Sequence, residues 1–228
     1  MDSIGVALQP YKDTVGLTAA IVTVVQFFGG VLAINEIRRR GSTVGFSVVP
    51  FLCGTAFCLL NVQFGQMLRD DGMIRVNLIG LALHIVYVCA FYLYTDGPRK
   101  GAVWGRIGLA GALTVAVLSY VQYEDPKVVE FRFGVILTAL LWTLVGMPLL
   151  GLGKILKNKS TAGLPLPMIL LGSVVSFMWL LFGIILRSNF LVVQNLVALG
   201  LCAVQLSLFI IFPAESLKPP PSPAKKFN

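Results

Sequence analysis

Acid is scarce in this chain and histidine scarcer, with ten aspartates and glutamates and one histidine among 228 residues. No acid falls inside any of the long apolar runs. A carboxylate in a bilayer core is costly and is kept for function, so its absence argues against a carrier driven by protons or sodium. His84 is the one group in those runs that titrates near neutral pH. No Ser-His-Asp set, HExxH, P-loop or carboxylate pair is present, which argues against an enzyme. The four cysteines, Cys53, Cys58, Cys89 and Cys202, lie in apolar runs without metal-ligand spacing, so they read as small packing residues, and no metal or cofactor is expected. Residues 1–14 lack a basic n-region and a small-residue cleavage site, so the first apolar run is expected to remain as a span.

What the chain has is apolar length. It is 57% hydrophobic and 12% charged, with a mean hydropathy of +0.85, statistics that exclude a water-soluble domain. Apolar runs occur at 15–34, 46–68, 74–94, 103–122, 133–152, 164–186 and 190–212. Each is close to the roughly 20 residues that carry a helix across a bilayer. Strand-like alternation is absent, and lipid leaves no partner for open backbone. The expected class is an all-α membrane protein with seven transmembrane helices.

The net charge of +8 has no basic stripe with interleaved aromatics to suggest nucleic acid. It is explained by topology. Arg38, Arg39, Arg40, Arg99, Lys100, Arg106, Lys154, Lys157, Lys159, Lys218, Lys225 and Lys226 all fall on one face, against Lys12, Arg69, Arg75, Lys127, Arg132 and Arg187 on the other. The positive-inside rule then puts the N-terminus outside and the C-terminus in the cytoplasm. The sequon at Asn158-Lys159-Ser160 would be cytoplasmic and unused.

A cassette occurs twice. Ser42-Thr43-Val44-Gly45-Phe46 returns as Ser160-Thr161-Ala162-Gly163-Leu164, a displacement of 118 (160 − 42). The same displacement carries Phe64-Gly65 onto Phe182-Gly183 and Asn77-Leu78 onto Asn195-Leu196. Four spans separate the two turns, so both copies point the same way. The expected plan is 3-1-3: a three-helix repeat at 1–95, a linker helix at 96–127, a second repeat at 128–212, and a disordered cytoplasmic tail at 213–228. Parallel repeats related by an axis along the membrane normal are a transporter design, with the substrate between the halves. With the proline run Pro219-Pro220-Pro221, the tail is expected to be disordered or polyproline II. Gly101 and Gly105 at the mouth of the linker helix permit close packing with another helix, including one from a second copy in a homo-oligomer.

Neutral polar residues supply the candidate chemistry. Asn61 and Asn77 reach one level of the bundle, and their counterparts in the second copy are Trp179 (179 − 118 = 61) and Asn195. A carboxamide offers donors and acceptors without charge, and an indole offers a flat apolar face for a sugar ring. Pro50, Pro148 and Pro167, with Gly30 in register with Pro148 (148 − 118 = 30), form a second level of helix breakers that reads as a hinge.

Lys157-x-Lys159-Ser160-Thr161, with Pro148 before it, Pro167 and Trp179-x-x-Phe182-Gly183 after it and then Gln194-Asn195, resembles the SWEET (saliva-type) family of sugar transporters, animal type. A weaker copy runs through Ser42, Pro50, Gly65 and Asn77. The resemblance implies facilitated diffusion of a mono- or disaccharide by alternating access, in the plasma membrane or also the Golgi. It implies substrate contacts at Asn77, Asn195 and Trp179 and hinges at Pro50, Pro148 and Pro167. Further pocket positions map onto Thr23, Gln26, Phe57, Leu144 and Val175. The chain departs from the pattern at Asn61, where the family usually carries an aromatic, and at Gly30, where it carries a proline. The alternative is a proton-coupled amino-acid carrier of the PQ-loop class in an acidic organelle, with His84 or a carboxylate at the membrane edge as relay. A seven-helix receptor shares the helix count but has no need of two equivalent halves.

Overall fold

The computed structural model describes residues 2–147, 149, 152–161 and 164–212. Pro148, an expected hinge, and the expected disordered tail at 213–228 lie outside the described residues. Within them the chain forms α1 (Asp2–Leu8), a short 3-10 turn, α2 (Lys12–Phe27), α3 (Gly29–Arg40), α4 (Val49–Leu68), α5 (Asp71–Leu93), α6 (Gly97–Tyr123), α7 (Pro126–Gly146), α8 (Leu152–Asn158), α9 (Leu166–Leu186) and α10 (Asn189–Ile211). Among the described residues seven stretches are long and apolar enough to span a membrane, as expected.

The expected boundaries fail at two places, for a shared reason. The first span runs over Gly5–Arg40, beyond the apolar run, because a helix does not stop where hydropathy falls. It continues through Arg38–Arg40 until Gly41 takes a left-handed φ of 64° and caps it. Inside this span the helix breaks at Phe28, between α2 and α3. The fifth run was expected to form one helix to residue 152, but α7 ends at Gly146. Subtracting the repeat displacement from this end gives 28 (146 − 118), within one residue of the end of α2 at Phe27.

The hairpins α4–α5 and α9–α10 also match atom for atom. Asp70 N–H donates to Gly65 O at 2.9 Å, and Ser188 N–H donates to Gly183 O at 3.0 Å. The Asp70 carboxylate accepts from Met73 N–H at 2.7 Å, and the Ser188 hydroxyl accepts from Leu191 N–H at 3.4 Å, each capping the following helix. Between cap and cap sit Arg69 (φ 53°) and Arg187 (φ 56°), both left-handed without being glycine. That conformation costs an L-residue about 1–2 kcal/mol, and glycine recovers part of it. Arg69→Gly is therefore expected to stabilise the folded protein by about 0.5–1 kcal/mol, read as a higher unfolding midpoint in detergent, while Arg69→Ala leaves it unchanged.

The cassette threonines tie the basic turn of each half to the end of its third helix. Thr161, fully buried, donates to Phe212 O at 2.8 Å. Thr43, also buried, lies 3.4 Å from the Thr95 hydroxyl, which itself donates to Phe91 O. The repeated Ser-Thr turn thus has a structural use.

α9 packs on α10 and α4 on α5, while α2 packs on both α5 and α9 and α4 contacts α7. One core cluster joins the two halves: Leu60, Phe64 and Met73 meet Phe133, Leu137 and Leu191, with Val117, Leu118 and Val121 of α6 against them. It sits at the end of the bundle opposite Arg38–Arg40. There Gln9 also donates to Ile185 O at 2.8 Å, and Gly16 lets Phe182 approach α2. At the basic end the second cluster, built around Ile37, Phe51, Tyr87 and Phe91, draws only on the first half and α6. α6 is fastened to α7 through Glu124, which accepts from both the Tyr120 hydroxyl and Arg132. The Tyr120 hydrogen bond, with the Asp125 amide and Arg132 adding to it, holds the Glu124 carboxyl below the usual carboxylate range. Added Cβ atoms at Gly101 and Gly105 would meet nothing within 4 Å among the described residues.

Candidate functional site

Between the halves lies a cavity of about 600 Å³, within the range of about 300–1,000 Å³ usual for small-molecule sites. It begins under the cluster that joins the halves and extends toward the basic end, where its lining includes Gly30, Ala33, Pro50 and Pro165. No aspartate, glutamate, lysine or arginine lines it among the described residues.

The cavity brings together Asn61, Asn77, Trp179 and Asn195, and with them Thr23, Gln26, Phe57, Leu144 and Val175. Gly30 and Pro50 also line it. Pro167 does not: it is exposed on the first turn of α9, and the proline that reaches the lining is Pro165. The wall is built of repeat partners. Gln26 and Leu144, Phe57 and Val175, Asn61 and Trp179, and Asn77 and Asn195 all differ by 118, as do His84 and Cys202 (202 − 84).

Each asparagine uses one amide proton on its own helix. Asn61 donates to Phe57 O at 2.8 Å, Asn77 to Met73 O at 2.9 Å and Asn195 to Leu191 O at 2.8 Å. Their carboxamide oxygens accept no hydrogen bond among the described residues, although the side chains are at most 6% exposed. No buried side-chain oxygen or nitrogen among the described residues lacks a partner. These three oxygens are therefore reachable from the cavity, each with a second amide proton beside it. The helix bond fixes the rotamer, so the remaining donor and acceptor are held in place before any ligand arrives.

Trp179 is held by its edge. Its indole N–H donates to the Thr23 hydroxyl at 2.8 Å, and that hydroxyl donates to Ala19 O at 2.7 Å. Thr23 thus spends its one proton and one of its two lone pairs on bridging α2 to α9 and fixing the indole plane. Phe182 packs edge-on to the indole at 5.6 Å.

Several lining residues were not anticipated from the sequence: Ser176, Gln194 and Gln205 among the polar ones, and Pro165. Gln194 was visible beside Asn195 in the quoted motif. Gln205 was hidden because its repeat partner is Tyr87 (205 − 118), a different residue type. His84 also lines the cavity. Its Nδ1 lies 2.8 Å from Gly80 O, which can only accept, so Nδ1 carries the proton and Nε2 the lone pair of the neutral ring. The ring covers Gly54, where a Cβ would overlap it.

A family profile described as "Sugar efflux transporter for intercellular exchange" matches this chain twice, at residues 13–99 and 131–217. The chain belongs to the SWEET family of sugar transporters. The two matches are themselves displaced by 118 (131 − 13), the interval of the cassette. Among its animal relatives, Sugar transporter SWEET1 of Caenorhabditis elegans is 31% identical over 206 residues, covering 90% of this chain and 67% of that protein. The protein of the same name from Drosophila pseudoobscura pseudoobscura is 29% identical, covering 90% and 91%. The human one is 26% identical, covering 90% and 93%. The solved structure of a eukaryotic SWEET transporter shares the fold with a TM-score of 0.80 at 24% identity, over 90% of this chain and 98% of that one.

Proposed function

We propose that this SWEET-family protein is a uniporter for a neutral mono- or disaccharide, which it moves by alternating access between two three-helix halves, residues 1–95 and 128–212, joined by a linker at 96–127. The observation that carries this reading is the uncharged cavity with free carboxamide edges at Asn77 and Asn195, one from each half in matching register. Sugar hydroxyls donate and accept at short spacing, and a carboxamide edge answers both without burying a charge. Trp179 offers its face to the ring, and Asn61 adds a polar edge where the other half has the indole. Gly30, Pro50, Pro148 and Pro167 form the hinge level in this scheme, and the ends of α2 and α7, within one residue of the same register, support it for Gly30 and Pro148.

The positive-inside rule supports a cytoplasmic basic end, with the N-terminus outside. In that orientation the cavity opens inward. The words "intercellular exchange" in the family description support the plasma membrane as the site of action, with the Golgi second.

Uptake of radiolabelled glucose by cells lacking their own hexose carriers tests the function. Expression of the protein is expected to produce saturable uptake that a protonophore leaves unchanged. Collapse of uptake on adding the protonophore would instead mean a proton-coupled carrier, with His84 as its relay.

A further inference from the structure

In the first half a side chain replaces a backbone hydrogen bond where the first helix breaks, and in the second half a side chain meets the repeat-equivalent carbonyl at the end of α7. In a continuous helix the Phe27 carbonyl would accept from Val31 N–H, four residues on. At the break Val31 N–H turns to Phe28 O instead, at 3.0 Å. The Tyr87 hydroxyl of α5 fills the gap, donating to Phe27 O at 3.1 Å. In the second half the Val145 carbonyl belongs to the last turn of α7, where carbonyls run out of helical partners. Gln205 of α10 donates to it through Nε2 at 2.7 Å. Donors and acceptors are both repeat partners: 205 − 87 and 145 − 27 each give 118.

The chemistry has been kept while the residue changed. A tyrosine and a glutamine share no shape, yet both reach from the third helix of their half to the same carbonyl position. The first is seated firmly, since the Tyr87 ring lies where a Cβ on Gly30 would be. Gln205 is buried, with 2% of its surface exposed.

We infer that Tyr87 and Gln205 are a matched pair of positioning residues, latches that hold the first helix of each half bent and so favour the conformation open at the basic end. Straightening α3 onto α2 returns Val31 N–H to Phe27 O and makes the Tyr87 bond redundant, so the latch stabilises the bent state selectively. Closing the basic end requires this release. The inference rests on the alternating-access reading above, because only a carrier that exchanges two states registers a bias between them.

The test is transport by the full-length protein carrying Tyr87→Phe, Gln205→Leu or both, with the sugar half-saturation measured separately at each membrane face. Tyr87→Phe keeps the ring over Gly30, so packing is preserved. A ligand's apparent affinity falls with the fraction of carrier in the competent state, and one net hydrogen bond shifts a two-state balance by about fivefold. The ratio of half-saturation at the opposite face to that at the basic face is expected to fall about fivefold for each single variant and about twenty-five-fold for the double. Loss of maximal rate with both half-saturations unchanged would mean a merely structural role and overturn the latch. A parallel rise of both would mean direct sugar contact and also overturn it.

If the unaltered protein moves no sugar, the transport reading fails by itself. The latch is then read without sugar, through Ala33→Cys in a background with the four native cysteines replaced by alanine. Ala33 lines the cavity beyond the break. Its labelling by a membrane-impermeant maleimide from the basic side is expected to slow about fivefold with each latch removed. An unchanged labelling rate would overturn the inference.

Discussion

Uptake by the Asn77→Ala, Asn195→Ala double variant is expected to fall below about a hundredth of the unaltered protein's at limiting sugar. Each carboxamide has one amide proton committed to its own helix and its oxygen uncommitted. Each therefore presents one donor and one acceptor to a ligand, together worth about 2 kcal/mol net. Two such edges make about 4 kcal/mol, nearly three orders of magnitude in apparent affinity. Alanine leaves Met73 O and Leu191 O with their ordinary helical bonds, so the fold should survive. The single variants should each lose about thirtyfold, mainly as a raised half-saturation. Surface abundance and unfolding midpoint, measured alongside, separate this from misfolding. Near-normal uptake by the double variant would remove the asparagine pair from the site and leave Asn61, Gln26 and Gln194 as the remaining polar contacts.

The second large effect is on stability, and the same substitution should have opposite signs at two glycines. A Cβ at Gly183 would lie 2.7 Å from Leu191 Cβ and 3.1 Å from both Leu191 C and Val192 N. Two of those atoms are backbone at the start of α10, so relief requires the α9–α10 hairpin to open. Such overpacking costs about 1–3 kcal/mol, occasionally more, whereas replacing a helical glycine with alanine recovers about 1 kcal/mol. With the backbone contacts placing the steric cost in the upper part of that range, Gly183→Ala should destabilise the protein by about 1–2 kcal/mol. At Gly101 a Cβ meets nothing. Only the propensity remains there, and Gly101→Ala should be neutral or stabilising by up to about 1 kcal/mol. Unfolding midpoints of the two variants in one detergent give the comparison directly.

Gly183 also shows what kind of information the repeat held. Phe64-Gly65 and Phe182-Gly183 were legible as a duplicated pair, but not as a hairpin contact. Their purpose depends on where Ile74 and Leu191 come to lie across the turn. The cassette threonines are alike in this. Spacing marks Thr43 and Thr161 as equivalent, and only the packed structure shows both tied to the end of a third helix.

The sequence by itself determined the membrane class, the seven spans, the displacement of 118 and the residues whose edges could meet a neutral ligand. Those follow from hydropathy, periodicity and side-chain chemistry, which are local properties of the chain. The tertiary structure decided matters that depend on which atoms approach across helices. It brought Pro165, which the sequence had not marked, into the cavity wall, and it set the Thr23 hydroxyl against the Trp179 indole. It broke the first span at Phe28 and ended α7 at Gly146, inside runs whose hydropathy is continuous. It also paired Tyr87 with Gln205, which no comparison of residue types would have joined. A hydrogen bond is defined by where donor and acceptor end up, and two unlike side chains can bring a proton to the same carbonyl.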